Sequence, residues 1–128
     1  CRSPMAEAIF NDMAEKNGVC VRAESFGIAT STGLPVSENS VIACKEIGID
    51  LSGKASTAVA DAGIEKYEKF YCMSQSHAKM LMQFFLVQPE KIAVLGISDP
   101  YGGDIEVYRH CRDEIVNSVK EILKAYEN

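Results

Sequence analysis

Two short stretches of this 128-residue chain hold residue types that could act on an anion. At the start, Arg2 and Ser3 stand directly before Pro4 and an apolar-periodic run. Pro4 suits the first turn of a helix and Ser3 suits its N-cap, so Arg2 falls beside free backbone N–H groups and the positive end of a helix dipole. Such a site can hold a phosphate. Without more, the same residues also describe an ordinary capped helix with a surface arginine. Late in the chain, Ser98-Asp99-Pro100-Tyr101-Gly102-Gly103-Asp104 sets a carboxylate into a Pro/Gly turn. A carboxylate there can give or take a proton, although Asp-Pro followed by glycines is equally a plain turn.

The cysteines narrow the chemistry. There are five, at irregular spacing, with no Cys-x2-Cys pair. Cys20, Cys44 and Cys72 lie in apolar segments, where a free thiol packs as a small hydrophobe, and a reducing cytoplasm fits this pattern. His77 and His110 have no partner at metal-ligand spacing, so neither a metal nor a cofactor is expected. The net charge of -5, with no basic run, argues against nucleic acid or an anionic membrane as partner. No apolar run approaches the length of a membrane span, and no export signal is present.

Positioning these stretches requires an α/β scaffold. Met5, Ile9 and Met13, with Ala6 and Phe10 beside them, predict an amphipathic helix ending at Asn17-Gly18, and residues 19–25 read as a strand. Gly27 to Gly33 is loop. Ser37 opens a second helix with Val41, Ile42, Cys44, Lys45 and Ile47 on its apolar side, stopped by Gly48; a turn follows over 49–53. Asp61 to Gly63 breaks a short helical stretch. Two compact apolar runs, Lys69–Met73 and Lys91–Leu95, have strand length. Between them Ser74 or Ser76 caps a helix through Met80, Leu81, Phe84 and Phe85. Asp104 caps a closing helix with Ile105, Val107, Tyr108, Cys111, Ile115, Val119, Ile122 and Leu123 as its stripe. Helices alternating with short apolar runs predict one domain over 1–128, three-layered, with a mainly parallel sheet flanked by helices on both faces. In such sheets sites gather at the carboxyl ends of the strands.

Cys1-Arg2-Ser3-Pro4-Met5-Ala6-Glu7 resembles the second half of the phosphate loop and the following helix of the low-molecular-weight protein tyrosine phosphatases. The Asp99-Pro100-Tyr101 stretch resembles that family's Asp-Pro-aromatic loop. The resemblance runs in the same order along essentially the whole chain. In the family the loop reads Cys-x5-Arg-Ser after a first parallel strand, and the first Cys is the nucleophile. The resemblance therefore implies that Arg2 clamps the phosphate, Ser3 supports the thiolate, Asp99 is general acid and then base, and Tyr101 forms an aromatic wall for the substrate ring. Cys1 matches the second, non-nucleophilic Cys.

The matching nucleophile would stand five residues before Cys1. The residues six after the five cysteines are Glu7, Phe26, Asp50, Ala78 and Asn117, so Cys-x5-Arg occurs nowhere in the sequence. A start in mid-loop is read as N-terminal truncation that removes the family's first strand, and this chain is expected to be inactive. The second strand is followed by Ser25-Phe26-Gly27-Ile28 where many members have Ser-Ala-Gly-Thr. Lys54 and Thr57 stand where many have a His and an Arg, the His bracing the loop. The implied partner is a phosphorylated protein, carrying phosphotyrosine or phosphoarginine, or a small phosphate anion. Two alternatives within the fold are a protein arginine phosphatase and an arsenate reductase, and the latter lacks a second Cys near Cys72. A reading from another class is a dead phosphate-binding or self-assembling module, with a homodimer covering the missing strand.

Overall fold

The computed structural model describes residues 2–26, 37–51, 66–100 and 102–126. The expectations for the loop at 27–33, the 61–63 break, Lys54, Thr57 and Tyr101 lie outside those residues. Helix α1 spans Arg2–Lys16. It buries Met5, Ile9, Phe10 and Ala14, one apolar stripe at helical spacing, while Met13 packs at the edge of the same core. The helix includes Arg2 and Ser3, so Ser3 lies within the first turn rather than before it as cap. Pro4 remains in that first turn, where its missing N–H has no intrahelical partner to lose. At the other end Gly18 adopts φ 69° and Val19 N–H reaches back to Ala14 C=O at 2.8 Å, a left-handed helix stop that favours glycine.

Residues 19–26 form no helix and belong to no sheet among the described residues, which corrects the expected strand. Its backbone is held from α1 instead. Asn11 Nδ2 donates to Ala23 C=O (3.0 Å), Ala23 N–H donates to Asn11 Oδ1 (2.8 Å), and Ser25 N–H and Oγ both donate to Glu7 Oε1 (2.8 Å each).

Helix α2 spans Glu38–Lys45, with Ser37 as N-cap bonding Ser40, and Gly48 at φ 81° after its end. Its buried side is Ser40, Ala43 and Cys44, so the expected Ile42 and Ile47 stand largely outside the core. Strands β1 (Phe70–Cys72) and β2 (Ile92–Val94) pair in parallel, with Phe70 opposite Ile92. The pairing runs on past Gly96 at φ 69°, through Leu95 N–H to Cys72 C=O and Ile97 N–H to Met73 C=O. Helix α3 (Gln75–Phe84), with Ser74 at its N-cap, makes the crossover between them. It buries Ala78 and Leu81, whereas Phe84 is 70% exposed, contrary to its expected place in the apolar face. A 3-10 turn, Pro89–Lys91, leads into β2.

Helix α4 spans Ile105–Lys124 and buries Tyr108, Cys111, Ile115, Val119 and Leu123, a stripe at i, i+3, i+7, i+11 and i+15; Val107, expected within it, is exposed. The core has two parts. One joins α1, α2 and α4 with Met73 and Ile97; the other joins α3 to Phe70, Cys72 and Val87. Helices thus cover the strands from both sides, as the alternating pattern requires.

Candidate functional site

Residues near both chemical stretches contribute to the larger core. Met5, three residues after Arg2, belongs to the same buried cluster as Met73 and Ile97, which follow the carboxyl ends of β1 and β2, and as Tyr108 in the first turn of α4. Arg2 and Ser3 sit on the first turn of α1, and Asp99 lies two residues after Ile97. An open cavity of about 500 Å³ lies at the same carboxyl ends, walled by Met73, Ser74 and Gln75 on one side and by the chain from Val94 to Ser98 on the other. This is where an open parallel sheet places its ligands.

Ser98 and Asp99 are exposed between two buried residues: Ile97 is 3% exposed and Pro100 is fully buried. Beyond them the loop is closed by Gly103 N–H donating to Pro100 C=O at 2.9 Å, and Gly102 turns it at φ 82°. Gly103 has no room for a side chain, since a Cβ there would lie 2.8 Å from that of Val107. Asp104 then caps α4, accepting from Val107 N–H at 3.2 Å. The carboxylate is therefore carried on a short loop anchored at both ends.

The thiols of Cys44 and Cys72 are poor candidates for a nucleophile. Both are buried, and burial pushes Cys44 up to about 11 despite the pull of Arg112. Burial raises Cys72 as well. A thiol so shifted is scarcely ionised at neutral pH, and the thiolate is the reactive form. His77 is half-buried at the start of α3, while His110 is exposed on α4, 3.3 Å from Glu114. Among the described residues no group of three or more His, Cys, Asp or Glu could hold a metal.

Two arrangements had no signal in the sequence. Glu46, just after α2, accepts from Arg109 (2.7 Å) and Arg112 (2.8 Å), and Arg112 also donates to Ala43 C=O (2.9 Å); Arg109 pairs with Glu106 too. Hydrogen bonding from Arg109 is the main reason that the Glu46 carboxyl lies below its ordinary range. These bonds fasten α2 to the start of α4 across more than 60 residues. At the other side Phe26, Tyr67 and Phe70 form an aromatic cluster with ring centroids 6.0–6.3 Å apart, and Tyr67 Oη donates to Glu24. Charge alternation and apolar runs reveal local elements, not partners this distant.

The family model described as low molecular weight phosphotyrosine protein phosphatase matches residues 1–128. Among relatives, a protein-arginine-phosphatase of Bacillus subtilis is 29% identical over 97% of this chain and 88% of its own length. Another protein-arginine-phosphatase, of Geobacillus stearothermophilus, is 31% identical over 97% of this chain and 87% of its own. Among solved structures, a low molecular weight protein tyrosine phosphatase from T. tengcongensis superposes with a TM-score of 0.91 at 29% identity, covering 98% of this chain and 91% of the other.

Proposed function

The chain belongs to the low molecular weight phosphotyrosine protein phosphatase family, and from that premise we propose that it forms the phosphate-clamping and proton-transfer parts of a phosphatase site, with Arg2 and Asp99 as its catalytic residues. The observation that supports this reading is the shared core of Met5, Met73, Ile97 and Tyr108, which joins Met5, three residues after Arg2, to the chain just before and soon after Asp99. Arg2 and the backbone N–H groups of the first turn of α1 stabilise the phosphoryl oxygens, as a planar guanidinium can do with two parallel bonds. Ser3 supports a thiolate, and Tyr101 lines the place of the substrate's side chain. Asp99 protonates the leaving atom and then takes a proton from the water that opens the phosphocysteine.

The thiolate itself has to come from outside these 128 residues, which hold no Cys six positions before an Arg. As they stand, they bind phosphate without turning over. The test is hydrolysis of a generic aryl phosphate. The expected result is no turnover by the 128-residue chain. A chain extended by a preceding strand that places a Cys six positions before Arg2 turns over, and loses that turnover in Asp99→Asn. Turnover by the 128 residues that depends on Asp99 would overturn the assignment of the nucleophile.

Two arginine phosphatases among the relatives favour phosphoarginine as the second reading of the substrate beside phosphotyrosine. Phosphate release by the extended chain from matched phosphoarginine and phosphotyrosine peptides separates the two. Because β1 pairs on one edge only among the described residues, the 128-residue chain is further expected to form a homodimer over that edge, which size-exclusion chromatography reads directly. Four free thiols among the described cysteines support a reducing, cytoplasmic setting. Among the described residues no helix is long and apolar enough to cross a membrane.

A further inference from the structure

We infer that Glu7 is a positioning residue for the phosphate clamp: through Ser25 it sets the rotation and height of the first turn of α1, and so the point at which Arg2 meets the anion. This rests on the phosphatase reading above. Asn11 and Glu7 are four residues apart on α1, and the residues that they bond, Ala23 and Ser25, are two apart on the returning segment. Four helical residues rise about 6 Å. Two residues span about 6.7 Å at most in extended backbone, a matching distance. The helix and the returning segment therefore stay in step over both contacts, the chain of one running against that of the other. Ser3 is the next position on the same four-residue stripe, and Arg2 adjoins it.

Among the described bonds between α1 and this segment, that of Glu7 lies nearer to the clamp than that of Asn11. Its carboxylate oxygen accepts two bonds of 2.8 Å from one residue, Ser25, in a part-buried setting. A backbone N–H and a hydroxyl converging on one carboxylate oxygen leave the helix little freedom to turn about its axis. Asn11 makes an equal number of bonds one turn farther from Arg2. That places two similar fastenings at different distances from the clamp, which is what separates positioning from mere stability.

The experiment is titration of the 128-residue chain with inorganic phosphate, followed by NMR, beside the thermal midpoint of each variant. In the unsubstituted chain phosphate binds, and Arg2→Ala abolishes that binding. Glu7→Ala weakens phosphate about tenfold, because a small displacement of an anion-binding group costs affinity steeply. Glu7→Gln keeps an acceptor for Ser25 N–H while removing a negative charge, and it binds phosphate at least as well as the parent chain. Asn11→Ala lowers the thermal midpoint as much as Glu7→Ala but changes phosphate affinity less than about twofold. If the parent chain does not bind phosphate, or binds it equally without Arg2, the phosphatase reading fails and the inference with it. With Arg2-dependent binding intact, the inference alone is overturned if Glu7→Ala binds like the parent, if Glu7→Gln weakens binding as much as Glu7→Ala, or if Asn11→Ala weakens it equally.

Discussion

At the Arg2 end of the site the fastenings are made across the chain, by side chains of α1 on backbone 12 and 18 residues away. On the far side of Asp99 the described fastenings from Pro100 onward are local: Pro100, Gly103, Asp104 and Val107 bond or pack among themselves within eight residues of the acid. The contrast matters because the two halves should fail differently. A local loop keeps its shape as long as its own backbone chemistry is intact, whereas the start of α1 is fastened through a segment that no strand holds among the described residues.

The most disruptive test falls on the local half. Gly103→Val puts a branched side chain where even a Cβ meets that of Val107 at 2.8 Å. We expect a loss of about 3 kcal/mol in urea unfolding, from overpacking against the first turn of α4. An unchanged midpoint would mean that this loop is not closed as described. Next comes the long-range half. Asn11→Ala leaves the N–H and C=O of Ala23 without the partner that each has, and about 2 kcal/mol is expected from two partly buried groups losing their bonds. Faster amide exchange confined to 19–26 would show that the damage stays on the clamp side; exchange spreading to Gly103 would erase the contrast. Asp104→Ala should remove about 1 kcal/mol as the loss of an N-cap, with the first turn of α4 fraying and residues 19–26 unaffected.

Two pH effects are smaller and mark the scaffold shared by both halves. The Glu46 carboxyl is lowered in the folded chain by Arg109 and Arg112. Its contribution is present above the ordinary value of 4.5 and is lost as pH falls through the lowered folded value. The stability gap between the parent chain and Glu46→Gln should accordingly narrow on going from pH 7 to pH 3, and a gap constant with pH would sink the clamp between α2 and α4. Cys44 has the opposite sense. Raised by burial from 9.0 to about 11, its neutral thiol contributes stability that is complete below pH 9 and lost as pH rises through about 11. Cys44→Ala should flatten that alkaline decline in thermal midpoint.

The residues that the sequence placed well are those whose environment is set within a few positions. Gly18 and Gly48 end α1 and α2 because a left-handed turn favours glycine wherever it occurs. The α4 stripe follows from helical spacing alone, and Asp104 caps it because its oxygen needs only the N–H three residues on. Errors came where partners are remote. The alternation in 19–25 fits a strand, yet a strand exists only beside another, and the backbone there bonds to α1 side chains. Phe84 has the periodicity of a core residue, yet α3 meets the sheet through Ala78 and Leu81 and leaves that position outside.

By itself, then, the sequence determined the order of the four helices and two strands among the described residues, the glycine stops after α1 and α2, the two chemical stretches and the fact that no Cys-x5-Arg is present, because each is a matter of residue type and spacing. Only the tertiary structure decided that Met5 of α1 shares a core with Ile97 and Tyr108 on either side of the Asp99 loop, that Glu46 gathers two arginines, and that Glu7 and Asn11 hold the segment beside α1. Those contacts join residues from a dozen to more than 90 positions apart, and which distant surfaces meet is settled by the packing of whole faces, for which no local pattern exists.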